Sequence, residues 1–205
     1  MLAIQIKFTT GRYYARSWSD SGAEWPPSPY RILRAVIAAW KYNLSEISED
    51  IVRSIIQLLS SERPLFVLPT THVCVEGEPR KNKAEQYVSI NSQRCVYVIW
   101  PSVCPSPQQK SILKKIVGHI HYLGRTKSWC TIDLARRISR DPNCTPADIK
   151  TDVNCVKDVL LPSSNVDLDD LYTVSREMRK SEPILPTGSK YVKYHIKMDR
   201  KYRSR

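Results

Sequence analysis

Residues 24–43 read EWPPSPYRILRAVIAAWKYN, and their reading decides the fold. Pro26, Pro27 and Pro29 hold the backbone rigid and bar both a strand and a helix interior. Ser28 followed by Pro29 is an N-cap with proline at the first helical position. From there Ile32, Leu33, Val36, Ile37 and Trp40 recur at helical spacing, which predicts an amphipathic helix laid on a core. Arg31 and Arg34, three apart, share a neighbouring face of it. Upstream, LAIQIKF at 2–8 alternates, with Leu2, Ile4, Ile6 and Phe8 on one side, as a half-buried strand does. The segment TTGRYYARSW at 9–18 links the two and is read as extended.

The same grammar continues downstream. Ile51, Val52, Ile55, Ile56 and Leu59 predict a helix over 48–60, and PLFVLP at 64–69 is a short buried strand between prolines. Residues 70–86 form a polar excursion, either a loop or a protruding hairpin. QYVSI at 86–90 and CVYVIW at 95–100 are strand candidates joined by the turn-like NSQR. Ser106-Pro107 with Gln109 opens a helix over 107–122, striped by Ile112, Leu113, Ile116, Val117 and Ile120; Gly124 is placed to stop it. KSWCTIDL at 127–134 returns as a strand, and SKYVKYHIKM at 189–198 alternates as a final one. Beyond 140 the pattern weakens: DPNCTPAD at 141–148 and LPSSNVDLDD at 161–170 are loop-like, and 170–180 suit a short helix.

Strand, helix, paired strands, helix, strand is βαββαβ, an α+β, ferredoxin-like (RRM-like) unit that buries one sheet face under two helices and leaves the other open to RNA. The expected organisation is a ferredoxin-like domain over 1–140 with an insertion at 70–86, then an irregular C-terminal extension over 141–205 ending in a basic strand and tail.

The formal net charge is +12, and its distribution matters more than its size. Residues 101–140 hold eight basic side chains against Asp133 alone, and residues 186–205 hold seven against Asp199, so the remainder is close to neutral. Such concentration is the footprint of a polyanion partner, with a solvated helix face and tail as the plainer explanation. No run is long and apolar enough to span a membrane, and MLAIQIKF is too short and too alternating for a signal peptide, so a cytoplasmic location without membrane contact is expected. The six cysteines include no C-x-x-C pair, so buried or idle thiols are expected and no metal site.

Cations and rings interleave in three places. Arg12, Tyr13, Tyr14, Arg16 and Trp18 follow the first strand; HYLGRTKSW at 121–129 carries Gly124, Arg125, Lys127 and Trp129; the last strand carries Lys190 and Lys193. Aromatic faces stack on unpaired bases while guanidinium and ammonium groups meet phosphates. Core packing is the alternative for Trp25, Trp40 and the tyrosines, and Trp129 suits either role. For catalysis, no H-E-x-x-H, G-x-S-x-G, P-loop or paired-carboxylate pattern occurs, and no cofactor is implied. A metal-independent ribonuclease needs no motif, however, and His119 or His121 as base with Lys115 or Lys127 steadying the phosphate would supply one. An interaction module for an acidic protein is the third possibility.

FTTGRYYARSW, EWPPSPYRILRAVIAAW, YLGRTKSW and PTGSKYVKYHIK, in that order, resemble the Cas-five half of the type I-G (formerly I-U) CRISPR proteins in which a Cas-five-like and a Cas-six-like domain are fused. The resemblance spans nearly the whole sequence, least clearly at 70–86 and 140–180, and GRTKSW departs from it with a threonine and a lysine where the fused proteins tend to show serine and an acid. It implies a RAMP protein with a thumb hairpin, for which 70–86 is the candidate. Such a protein caps the Cascade surveillance complex in antiviral defence and grips the 5′ handle of the crRNA. It contacts Cas-seven-like backbone subunits and the large subunit, and meets target DNA only indirectly. With no Cas-six-like half in the 205 residues, the resemblance implies a stand-alone, non-catalytic handle-binding subunit. Type I-C Cas-five proteins cleave precursor crRNA themselves, which keeps the ribonuclease as runner-up. The implied RNA contacts are Arg12, Tyr13, Arg16, Arg31, Arg34, Gly124, Arg125, Lys127, Trp129, Lys190 and Lys193.

Overall fold

In the computed structural model, residues 1–18, 22–77, 84–138, 140–149, 155–172 and 185–197 are described. The first strand, β1 (Leu2–Phe8), lies in a seven-stranded sheet of order β7-β1-β6-β3-β8-β10-β9, in which β3 is Leu65–Val67, β6 Val96–Trp100, β7 Cys130–Leu134, β8 Cys144–Pro146, β9 Cys155–Pro162 and β10 Ser189–Ile196. Every pairing within it is antiparallel. The helices are α1 (Pro29–Asn43), α2 (Glu49–Ser60), α3 (Pro107–Val117) and the short α4 (Leu168–Tyr172). The run β1-α1-β3-β6-α3-β7 with order β7-β1-β6-β3 is the ferredoxin-like frame, an α+β fold as expected. Beyond β3 the same sheet is lengthened by β8, β10 and β9.

Local chemistry builds these elements. Ser28 Oγ accepts from the Arg31 amide at 3.3 Å, with Pro29 opening α1. Ser106 and Gln109 form a reciprocal capping box on α3, at 3.1 and 2.9 Å. The alternating face of β1 meets the apolar stripes of α1, α2 and α3 in one continuous core that includes Trp40 and Trp100. Each large apolar side chain so buried contributes roughly 1.5–3 kcal/mol. Trp25 is half-buried against this core. All six cysteines are unpaired; Cys130 and Cys144 are buried, and burial pushes the Cys130 thiol up to about 12. No helix among the described residues is long and apolar enough to cross a membrane.

The stretch expected to be irregular after 140 supplies β8 and β9 to the large sheet, and of the helix expected over 170–180 the part up to Tyr172 lies in α4, 173–180 being outside the described residues. Three further expectations change. First, 86–90 does not pair with 95–100: both edges of β6 are occupied, by β1 and by the three-residue β3, which is the true second strand of the frame. Instead β5 (Glu85–Ile90) joins β2 (Arg12–Tyr13) and β4 (Thr71–Glu76) in a separate sheet of order β2-β5-β4. Of the 70–86 excursion, 71–76 is one arm and 85–86 the start of the other arm of a β4–β5 hairpin, while 78–83 lie outside the described residues. Second, α3 ends at Val117, with Gly118 as its C-cap, well before Gly124. Third, the sheet face away from the helices is in part covered rather than left open. Ala3, Val67 and Ile99 pack there with Leu65, Tyr97, Ala135 and Ile138, closing one end of it, and Tyr97 is the one ring in that cluster.

Candidate nucleic-acid interface

Two turns bring the cation-rich segments together. After β1 the chain reverses at Gly11, whose φ of +66° and 2.7 Å approach of a virtual Cβ to the Ile90 carbonyl oxygen suit glycine alone. That approach binds the small sheet to the end of β1, with the Ile90 amide donating to the Gly11 carbonyl at 2.8 Å. The second turn spans 122–129, closed by a bridge between Tyr122 and Trp129 and by the Ser128 amide donating to the Arg125 carbonyl at 2.9 Å. At its start Gly124 has φ +89°, and a Cβ there would lie 2.6 Å from the Tyr14 carbonyl oxygen. That oxygen accepts from the Arg125 amide at 2.8 Å and from Ser128 Oγ at 3.1 Å, while Ser128 Oγ accepts from the Tyr14 amide at 2.7 Å. Gly124 therefore serves a backbone-to-backbone docking rather than a helix end.

The docking sets Arg125 and Lys127 beside Arg12, with the far half of the β4–β5 hairpin against all three. Lys127 Nζ reaches Glu76 at 3.2 Å and Glu85 at 3.3 Å; Arg12 reaches Glu76 at 3.2 Å; Arg125 lies 2.6 Å from Glu85 Oε1. That last contact is ionic, since Glu85 Oε1 has no hydrogen bond of good direction. Tyr14 and Tyr87 stack beneath the cluster at 4.9 Å, with Lys127 over the Tyr14 ring and Arg12 over the Tyr87 ring. The Tyr14 hydroxyl donates to Glu76 at 2.8 Å. That bond, followed by the Lys127 ammonium, holds the Glu76 carboxyl below its usual range, while Glu76 and then Glu85 raise Lys127. Three cations share two carboxylates and retain a net single positive charge. At the base of the same turn Trp129 and Tyr122 are bridge partners, 55% and 47% exposed.

The other sequence-predicted residues divide sharply. Tyr13 is fully buried, and its hydroxyl donates to Glu24 at 2.7 Å, so its ring is closed to a base. Arg31 is turned inward: Nε and Nη2 each bond Glu24 at 2.9 Å, and Nη2 also donates to the Arg16 carbonyl at 3.1 Å. Burial pushes the Glu24 carboxyl upward, but the Arg31 charge, with bonds from Arg31, Tyr13 and the Ser28 amide, outweighs it and holds the group low. The Arg31 charge is thus met by Glu24 inside the protein rather than presented on its surface. Arg34 is half-buried on α1, and burial lowers its pKa. Arg16 is exposed. Lys190 and Lys193 lie on β10, four strands from β1 and so about 19 Å away at ordinary strand spacing; Lys193 pairs with Asp158 at 3.3 Å.

Of the four residues considered for cleavage, Lys115 is paired with Glu46 at 3.1 Å and Lys127 with the hairpin carboxylates. His119 Nδ1 donates to the Lys115 carbonyl at 2.9 Å, and His121 is exposed. The two lysines thus serve different corners of the molecule. Sequence reasoning missed Glu76, Glu85, Ser128 and the Tyr14–Tyr87 stack. One signal was available in principle. Glu76 and Glu85 face each other across β4–β5, a like-charged pair that is unfavourable unless cations sit between them.

No protein-family model matches this sequence, and no curated protein matches it significantly. Among solved structures the chain is similar to a CRISPR protein from Archaeoglobus fulgidus, at 14% identity and a TM-score of 0.49, over 100% of this chain and 88% of that one. A likeness that distant carries no argument about function.

Proposed function

We propose that this chain is a non-catalytic, crRNA-binding subunit of a type I CRISPR surveillance complex of the Cas-five kind, gripping the 5′ handle at the corner made by β2, the β4–β5 hairpin and the 122–129 turn. The observation that carries the RNA reading is the convergence of Arg12 with Arg125 and Lys127, far from it in sequence, at a turn that also carries the exposed rings of Trp129 and Tyr122. Cations on phosphates with rings on splayed bases is how single-stranded RNA is held without a deep pocket. The order of motifs resembling the Cas-five half of the type I-G fusions supplies the more specific part. On this reading the β4–β5 hairpin is the thumb, the partners are Cas-seven-like backbone subunits and the large subunit, and target DNA is met indirectly.

The test incubates the purified protein with labelled precursor crRNA of its own repeat in EDTA, resolving binding and cleavage on parallel gels. Retention that depends on the handle, without cleavage, is expected. Arg125→Ala and Lys127→Ala should each weaken it and flatten the log–log salt dependence by about one unit. Unchanged affinity and slope in both would sink the assignment. Discrete cleavage at the handle base, lost in a His119→Ala/His121→Ala pair, would make the protein a processing endoribonuclease instead.

A further inference from the structure

The cations assigned to phosphate are already engaged by the protein's own carboxylates. We infer that the distal half of the β4–β5 hairpin is a built-in competitor for RNA phosphate: Glu76 and Glu85 hold it over Arg12, Arg125 and Lys127, and an incoming polyanion displaces them and loosens the hairpin. This rests on the RNA-binding reading above and adds its regulation.

Three observations meet here. Glu76 and Glu85 are direct cross-strand partners, and the strands bring two negative charges face to face. Lys127 bridges both, with Arg12 on one and Arg125 on the other, so the cations are what makes that pairing tolerable. Second, the two sides differ in solvation. Arg125 and Lys127 side chains are 56% exposed and accessible to a ligand, whereas Glu85 is 19% exposed and its Oε1 lacks a well-directed hydrogen bond. Drawing the cations onto a phosphate leaves Glu85 a poorly solvated, unpaired anion facing Glu76. The strain is relieved only if the hairpin end moves away. Third, the hairpin is anchored unevenly. Its proximal half pairs with β2 and buries Val88 and Ile90, while Val75 in the distal half is exposed, so the distal half is retained largely by polar contacts, namely the ion pairs and the bonds from the Tyr14 hydroxyl to Glu76 and from the Ala23 amide to Gln86, together with the Tyr14–Tyr87 stack.

The experiment compares wild type, Glu76→Gln, Glu85→Gln and the double variant for binding to a short fluorescent oligouridylate at low salt. Arg125→Ala is the reference, and thermal melts verify folding of each variant. A carboxylate about 6 Å from a phosphate in water-like dielectric opposes binding about threefold, so the double Gln variant should bind about tenfold tighter, the gain shrinking as salt rises. Hydrogen exchange of amides in 72–76 and 85–87 should quicken when wild type binds the oligonucleotide. If Arg125→Ala weakens binding while the Gln variants bind as wild type, and exchange slows or is unchanged, the competitor is refuted and RNA binding stands. If neither Arg125→Ala nor the Gln variants alter binding, the cluster is not the RNA site and both readings fall.

Discussion

Arg31→Met tests the reassignment of an apparent RNA contact to the interior. The guanidinium makes two parallel bonds of 2.9 Å to the Glu24 carboxylate, and the two side chains are 18% and 9% exposed. Removing Arg31 leaves Glu24 with neutral donors only: the Tyr13 hydroxyl at 2.7 Å, the Ser28 amide at 3.1 Å and Ser28 Oγ at 3.3 Å. Stripping one partner from a buried pair costs about 3–5 kcal/mol, roughly a fifth or more of the stability of an ordinary domain. At about 2–4 °C per kcal/mol for a chain of this size, the melting temperature should fall by about 6–20 °C. Urea unfolding followed by tryptophan fluorescence gives the midpoint and slope. The double Glu24→Gln/Arg31→Gln variant, which removes both charges, should recover part of the loss. RNA affinity measured well below the melting transition, and its salt slope, should match wild type. A loss under about 1 kcal/mol, or a flattened salt slope in a stable variant, would refute the reasoning and return Arg31 to the interface.

Three further outcomes follow from the same geometry. Trp129→Ala should weaken oligouridylate binding by about 1–3 kcal/mol if the ring stacks on a base, while the melting temperature barely moves because the ring is 55% exposed; fluorescence titration and a melt separate the two. Gly124→Ala should destabilise the protein by about 1–3 kcal/mol, since φ is +89° and the new Cβ would meet the Tyr14 carbonyl oxygen at 2.6 Å, and it should also weaken RNA binding by shifting Arg125; wild-type stability would contradict the docking described. Because Glu24 is held below its unfolded value of about 4.3, its contribution is fully present above that pH and is lost as pH falls through the lower folded value. Urea midpoints between neutral pH and pH 3 should therefore fall less steeply for Glu24→Gln than for wild type.

What was legible in the sequence was whatever a few neighbouring residues decide. Ser28-Pro29 and the Ser106–Gln109 box start their helices because capping bonds span three residues, and alternation in 2–8 fixes which side chains of β1 face the core whatever its partners. The basic, ring-bearing character of 121–129 was equally plain, and two of its cations do reach the candidate site.

Pairing and burial were decided elsewhere. Three residues, 65–67, displaced the longer 85–90 from the frame because β6 has only two edges and β1 and β3 take both. Arg31 and Arg125 look alike in sequence. One points at Glu24 beneath the first strands and is withdrawn from solvent; the other sits on a turn fastened to the Tyr14 carbonyl and stays exposed. A cation's availability depends on which carboxylate the fold brings to it, and Glu76 and Glu85 reach Lys127 from 51 and 42 residues away. Charge is written in the chain, but its neutralisation is a distance, and only the tertiary structure sets distances.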